Sequence, residues 1–175
     1  ICWSLVGSEM CIRDRMWHKR RYVIALLAML ALFGCKDQKA QIGQPSPDIA
    51  AMNAAQQTVS LESYQGKKIV VEFWSSTCGA CIAMMKKWQD VYARRSDEVA
   101  VIAVNIDDYE VDLNEFATKY GFSFPMVKDQ LGITKERFSI GVTPTTYLIN
   151  RDGKLVDMHI GYSASMDLDL SLIHI

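Results

Sequence analysis

Two cysteines separated by two residues, Cys78-Gly79-Ala80-Cys81, carry the most reactive chemistry in this 175-residue chain. Thiols at this spacing can meet within disulfide geometry on one turn of a helix. Such a pair could hold zinc, staple the chain or exchange disulfides. Zinc takes about four ligands, and the domain adds only Cys35 and His159 to the pair. A staple across two residues closes a very small loop and constrains the unfolded chain little. Disulfide exchange is the better use, and it calls for the first thiol at a helix N-terminus. There, unpaired N–H groups and the macrodipole favour the thiolate, the species that attacks a disulfide. No metal and no cofactor are expected.

The surrounding pattern supplies that position. Residues 69–74, Ile-Val-Val-Glu-Phe-Trp, form a continuous apolar run broken only by Glu72, as in a strand covered on both faces. Residues 78 to about 95 read as a helix with Met84, Met85, Trp88, Val91 and Tyr92 at inward spacings. The cysteines therefore sit where a buried strand becomes a helix. A carboxyl desolvated at Glu72, six residues before Cys78, should have a raised pKa suited to proton transfer near neutrality. A solvated Glu on an open strand face is the alternative.

Further along, residues 99–106 predict a second buried strand, and 112–120 a helix closed by Gly121. Residues 133–138 predict a short helix. Residues 145–150 and 155–160 predict a hairpin joined by Arg151-Asp152-Gly153-Lys154. Weak strands at 49–52 and 58–61 open the domain, and a last helix is expected to begin near Ser163. The expected class is α/β, a central mixed sheet flanked by helices.

The unit of strand, Cys-x-x-Cys and helix, together with Gly141-Val-Thr-Pro144-Thr-Thr, resembles the thioredoxin superfamily, in particular its extracytoplasmic TlpA/ResA-like branch. The likeness covers about residues 42–169 and implies a thioredoxin-like fold and a thiol–disulfide oxidoreductase. It implies that Pro144 is cis and faces the dithiol, that Thr143 offers its backbone to a substrate strand, and that Glu72 shuttles a proton to Cys81. Trp74 matches the motif's first tryptophan, expected to pack beneath the site and counted with Thr143 and Pro144 as substrate-binding. Thr77 replaces the usual tryptophan before the first cysteine, Gly-Ala replaces the usual inner dipeptide, and Ala103 stands where thioredoxin has a lysine. These departures bear on redox potential. His159 reads as a structural histidine and the methionines at 84 and 85 as core.

Charges nearly balance, 19 Lys+Arg against 20 Asp+Glu, with no basic stripe to suggest nucleic acid. Residues 170–175 can be encoded by CTGTCTCTTATACACATC, whose reverse complement encodes residues 10–14 and the start of Arg15. Residues 1–15 and 170–175 are therefore expected to be translated adapter sequence. Residues 16–34 read as a signal peptide: a basic start, an apolar run of about 13 residues, then Gly34 before Cys35. Cys35 resembles the lipid-carrying cysteine of a bacterial lipoprotein, although Phe33 departs from the usual small residue. Residues 35–47 are expected to be a lipid-anchored tether, and 48–169 a domain whose closing helix is truncated and its stability thereby lowered. The expected setting is extracytoplasmic, periplasmic or cell-surface, membrane-anchored and monomeric. Expected partners are disulfide-containing proteins, such as apocytochrome c or copper-site proteins, and a membrane thiol reductant. Alternatives are a disulfide oxidase or isomerase and a copper-handling protein of SCO type, whose cysteines stand one residue further apart. A peroxiredoxin-type peroxidase would need its threonine and cysteine at another spacing.

Overall fold

Short apolar runs alternating with helical segments build a seven-stranded sheet among the residues that the computed structural model describes, 39–165 and 168–169. In chain order the elements are β1 (Ala51–Met52), β2 (Thr58–Val59), a 3-10 turn (Leu61–Tyr64), β3 (Lys68–Trp74) and α1 (Gly79–Arg95). They continue with β4 (Val99–Asn105), α2 (Leu113–Tyr120), β5 (Met126–Lys128), α3 (Ile133–Arg137), β6 (Thr145–Ile149) and β7 (Leu155–Ile160). The order across the sheet is β2-β1-β5-β4-β3-β6-β7. Parallel pairs β3–β4 and β4–β5 lie at the centre, and the remaining pairs are antiparallel. This is the mixed α/β sheet of a thioredoxin-like fold.

The apolar run of β3 follows from its place at the centre. Val70 and Trp74 point into a core shared with Met84, Met85, Trp88 and Val91 of α1 and Phe116 of α2. Ile69, Val71 and Phe73 point into a second core with Ile102, Val104, Phe138 and Tyr147. A strand buried on both faces has no solvent side on which to alternate.

Helix ends follow local chemistry. Asp112 accepts hydrogen bonds from the Asn114 and Glu115 N–H groups to start α2, and Gly121, at φ 75°, ends it in the left-handed region. Arg94 and Arg95 occupy the last turn of α1, where cations are favoured.

Some boundaries differ from expectation. Strand β5 has three residues, too few for any periodicity to announce it. The second opening strand stops at Val59, because Ser60 caps the 3-10 turn and Asp48 accepts the Leu61 N–H. Part of the expected tether is docked on the closing hairpin. Gly43 N–H donates to Leu155 O (2.7 Å), Leu155 N–H to Gln44 O (2.9 Å), and Ser46 N–H to Gly153 O (2.9 Å). These are main-chain contacts, which a polar, proline-containing composition does not reveal. At the other end Leu168 is helical and buried in the α1-side core, and Asp169 pairs with Arg94 and Arg95. The expected adapter segments, the signal peptide and Cys35 lie outside the described residues.

Candidate active site

Strand β3 ends at Trp74, a short turn follows, and Cys78 becomes the N-cap of α1. Its backbone is extended (φ −89°, ψ 99°), and its sulfur accepts the Cys81 N–H at 3.1 Å. Cys78 and Cys81 are joined in a disulfide, with Cα atoms 5.2 Å apart. The two sulfurs differ in access: Cys78 is partly buried, whereas Cys81 has no exposed surface. On reduction, the N–H groups of the first turn would face Cys78 and favour its thiolate. Cys81 would stay in apolar surroundings that disfavour charge.

Glu72 is fully buried at the centre of the sheet, opposite Thr146 of β6 and Ala103 of β4. Burial pushes its carboxyl up to about 8, against the opposing pull of a Thr146 hydrogen bond and the Trp88 indole. The Thr146 hydroxyl donates to Oε2. Neither Oε1 nor the Trp88 Nε1 forms a hydrogen bond of good geometry among the described residues. A lone carboxyl in this environment is mostly protonated at pH 7, with a carboxylate fraction that grows toward pH 8, so it can exchange a proton close to neutrality.

The Thr143–Pro144 peptide is cis. Pro144 is buried, Thr143 half-buried and Val142 exposed, so the loop offers its outer edge to solvent. It borders a groove of about 320 Å³ lined by Ser75, Tyr109, Ile140, Val142 and Thr143 among others. Trp74 requires a correction. It is fully buried with its ring 4.4 Å from that of Phe116, so it supports the site from beneath and has no face left for a substrate. His159 stands opposite Thr146, and its Nε2 lies 3.2 Å from Asp157 Oδ2, with no hydrogen bond formed. Among the described residues no group of three or more His, Cys, Asp or Glu is placed to hold a metal ion.

The structure adds residues that sequence reasoning passed over. Asp107, just beyond the end of β4, accepts the Ser75 hydroxyl (2.5 Å), the Ser76 N–H (2.8 Å) and the Asn105 side-chain amide (3.0 Å). Burial works against its charge, but the bonds from Ser75, Asn105 and Ser76 outweigh it and hold the pKa below the usual carboxylate value. Thr146 was likewise missed as the partner of Glu72. The available signal for Asp107 was its position at the carboxyl end of a central parallel strand, where α/β sheets place their sites.

Comparison with known proteins agrees with this geometry. The profile of the AhpC/TSA family matches residues 42–158. Thiol-disulfide oxidoreductase ResA of Oceanobacillus iheyensis is 32% identical over 123 residues, spanning 67% of this chain and 64% of that protein's length. A candidate thiol:disulfide interchange protein DsbE from Chlorobium tepidum superposes with a TM-score of 0.67 at 26% identity, covering 78% of this chain and 98% of that one. The exposed lipoprotein thioredoxin Etrx1 of Streptococcus pneumoniae gives 0.61 at 26% identity, over 74% of this chain and all of that one. Among the described residues no helix is long and apolar enough to cross a membrane.

Proposed function

The chain belongs to the AhpC/TSA family, and from that premise we propose that it is a thiol–disulfide oxidoreductase reducing disulfides of extracytoplasmic partner proteins. One observation carries the reading: a Cys-x-x-Cys disulfide at the head of a helix, with its first sulfur partly accessible and its second fully buried. That asymmetry supports a division of roles between the two sulfurs. The Cys78 thiolate attacks one partner sulfur, the partner's S–S bond breaks, and its other sulfur leaves as a thiolate. Cys81 gives its proton to the Glu72 carboxylate and attacks Cys78 Sγ. This closes the internal disulfide and expels the second partner thiolate. Two electrons pass to the partner, and its two thiolates take up the protons. A membrane thiol reductant then returns two electrons to the Cys78–Cys81 disulfide.

The Thr143–Pro144 loop is the substrate edge in this reading, since an extended chain can pair with exposed backbone. Lipid attachment at Cys35 and an extracytoplasmic setting are supported by the signal-like composition of residues 16–35. The likeness to a protein described as an exposed lipoprotein supports them as well. Monomeric action on proteins such as apocytochrome c or copper-site proteins accords with one dithiol per chain.

A redox titration in glutathione buffers, following Cys78 and Cys81 by alkylation mass shift, tests the function. The expected result is one reversible two-electron transition with a midpoint near thioredoxin's, about −270 mV. A midpoint near about −120 mV would make the protein an oxidant. Cysteines that fail to titrate as a pair would sink the reading and bring copper binding forward.

A further inference from the structure

Behind the redox turn lies a polar network that the exchange chemistry has not yet used. Lys128, at the end of β5, is only 6% exposed, and a buried ammonium needs partners to offset its desolvation. Its Nζ donates to Asn105 Oδ1 (3.2 Å), to Tyr109 O (2.7 Å) and to Asp107 O. Asn105 is its direct neighbour in the β4–β5 register, and the Asp129 N–H donates to Asn105 O (2.9 Å). The loop after β4 is thus tied to the sheet by two bonds from one buried cation, whose third bond goes to Asn105 at the end of β4 itself. The side chains of that loop face the redox turn. Asp107 takes the Ser75 hydroxyl and the Ser76 N–H, and the Tyr109 hydroxyl lies 2.7 Å from Ser76 Oγ. The turn passes the constraint on, since the Cys78 N–H donates to Ser75 O (3.1 Å).

We infer that Asp107 is a positioning residue for thiol exchange: seated by Asn105 and Lys128, it clamps the Ser75–Ser76 turn that presents Cys78 at the head of α1. This rests on the proposed exchange function and adds a residue to it. Charged or titratable groups around Asp107 are Lys128 from β5, Tyr109 from its own loop, and Asp108 and Lys135, which line the same groove. Direct charge effects and positioning make opposite demands. Removing a nearby anion would ease formation of the Cys78 thiolate, whereas freeing the turn would withdraw the thiolate from the helix N-terminus that stabilises it.

The test uses the full chain carrying Asp107→Ala, Asp107→Asn or Ser75→Ala. Asparagine can keep the clamp, donating to Ser75 Oγ while accepting from Ser76 and Asn105, so it separates geometry from charge. Two rates are read: alkylation of reduced Cys78 by iodoacetamide across pH, and exchange with oxidised glutathione. Asp107→Ala should slow exchange about tenfold and move the alkylation midpoint upward, since small misplacements of a reacting group are costly. Asp107→Asn should stay within about threefold of the parent. Ser75→Ala, which removes one of the Asp107 bonds together with a contact to the Thr77 hydroxyl, should shift both readouts in the same direction by less, and it carries the test if Asp107→Ala does not fold. A lowered melting temperature with both rates unchanged in Asp107→Ala and Ser75→Ala would reduce the network to a structural role. Equal losses in Asp107→Asn and Asp107→Ala would make charge the cause. A parent chain whose cysteines do not titrate as a pair would instead overturn the exchange function itself.

Discussion

The hydroxyl of Thr146 donates a hydrogen bond to Oε2 of Glu72, across the register that sets β6 beside β3 beneath the redox helix. This bond favours the charged carboxylate and opposes the effect of burial. It is the main specific interaction keeping the carboxyl within reach of neutral pH. Thr146→Val preserves shape and removes the donor, so the Glu72 titration should move further upward. Thr146→Ser should restore it. A carboxyl titration by infrared or NMR spectroscopy reads the shift directly, and an unchanged midpoint in the valine variant would remove Thr146 from the account.

Glu72 also sets a pH dependence of stability. Its pKa in the folded chain, about 8, lies above its ordinary value of 4.5. The folded state therefore binds the proton more tightly than the unfolded state. The associated stability is fully present below pH 4.5 and is lost as pH rises toward 8. The loss is on the order of a few kcal/mol relative to Glu72→Gln, which does not titrate. Urea denaturation of both proteins between pH 4 and 9 should show the two curves diverging in that window; parallel curves would contradict the raised pKa.

The same carboxyl should govern the second chemical step. In the proposed exchange Glu72 is the base when Cys81 resolves a mixed disulfide, so the rate of that step should climb with pH and level off above about 8. Glu72→Gln should flatten that profile and slow the step by about a hundredfold at pH 7. Stopped-flow measurement of the second exchange phase distinguishes this from a slower first attack.

Unequal exposure of the two cysteines predicts unequal variants. Cys81→Ser should accumulate a stable mixed disulfide through Cys78, visible as a mass adduct. Cys78→Ser should form none and lose turnover by about a hundredfold or more. An adduct on Cys81 in the second variant would reverse the assigned order of attack. Peroxide consumption that needs only Cys78 would instead favour a peroxidase.

Helix α2 offers a control remote from the thiols. Asp112 caps it through two backbone N–H groups, so Asp112→Ala should cost about 1 kcal/mol in chemical denaturation. Glutathione exchange rates should be unaffected.

Much of the site was legible because its chemistry is local in the chain. Cys78 and Cys81 are three residues apart and share one helical turn. The burial of Glu72 followed from the apolar residues on either side of it, and Pro144 stood in a motif of adjacent residues. Tertiary structure decided what depends on residues remote in sequence. Thr146 reaches Glu72 across 74 residues, Asp107 reaches Ser75 across 32, and Lys128 secures the Asp107 loop from 21 residues further along. The same reason explains why Trp74 could be assigned a substrate contact until Phe116 was seen against it, and why residues 43–46 read as tether. Periodicity reports which face of an element is buried. It does not report which neighbour lies opposite, because strand order and register place distant residues within hydrogen-bonding range.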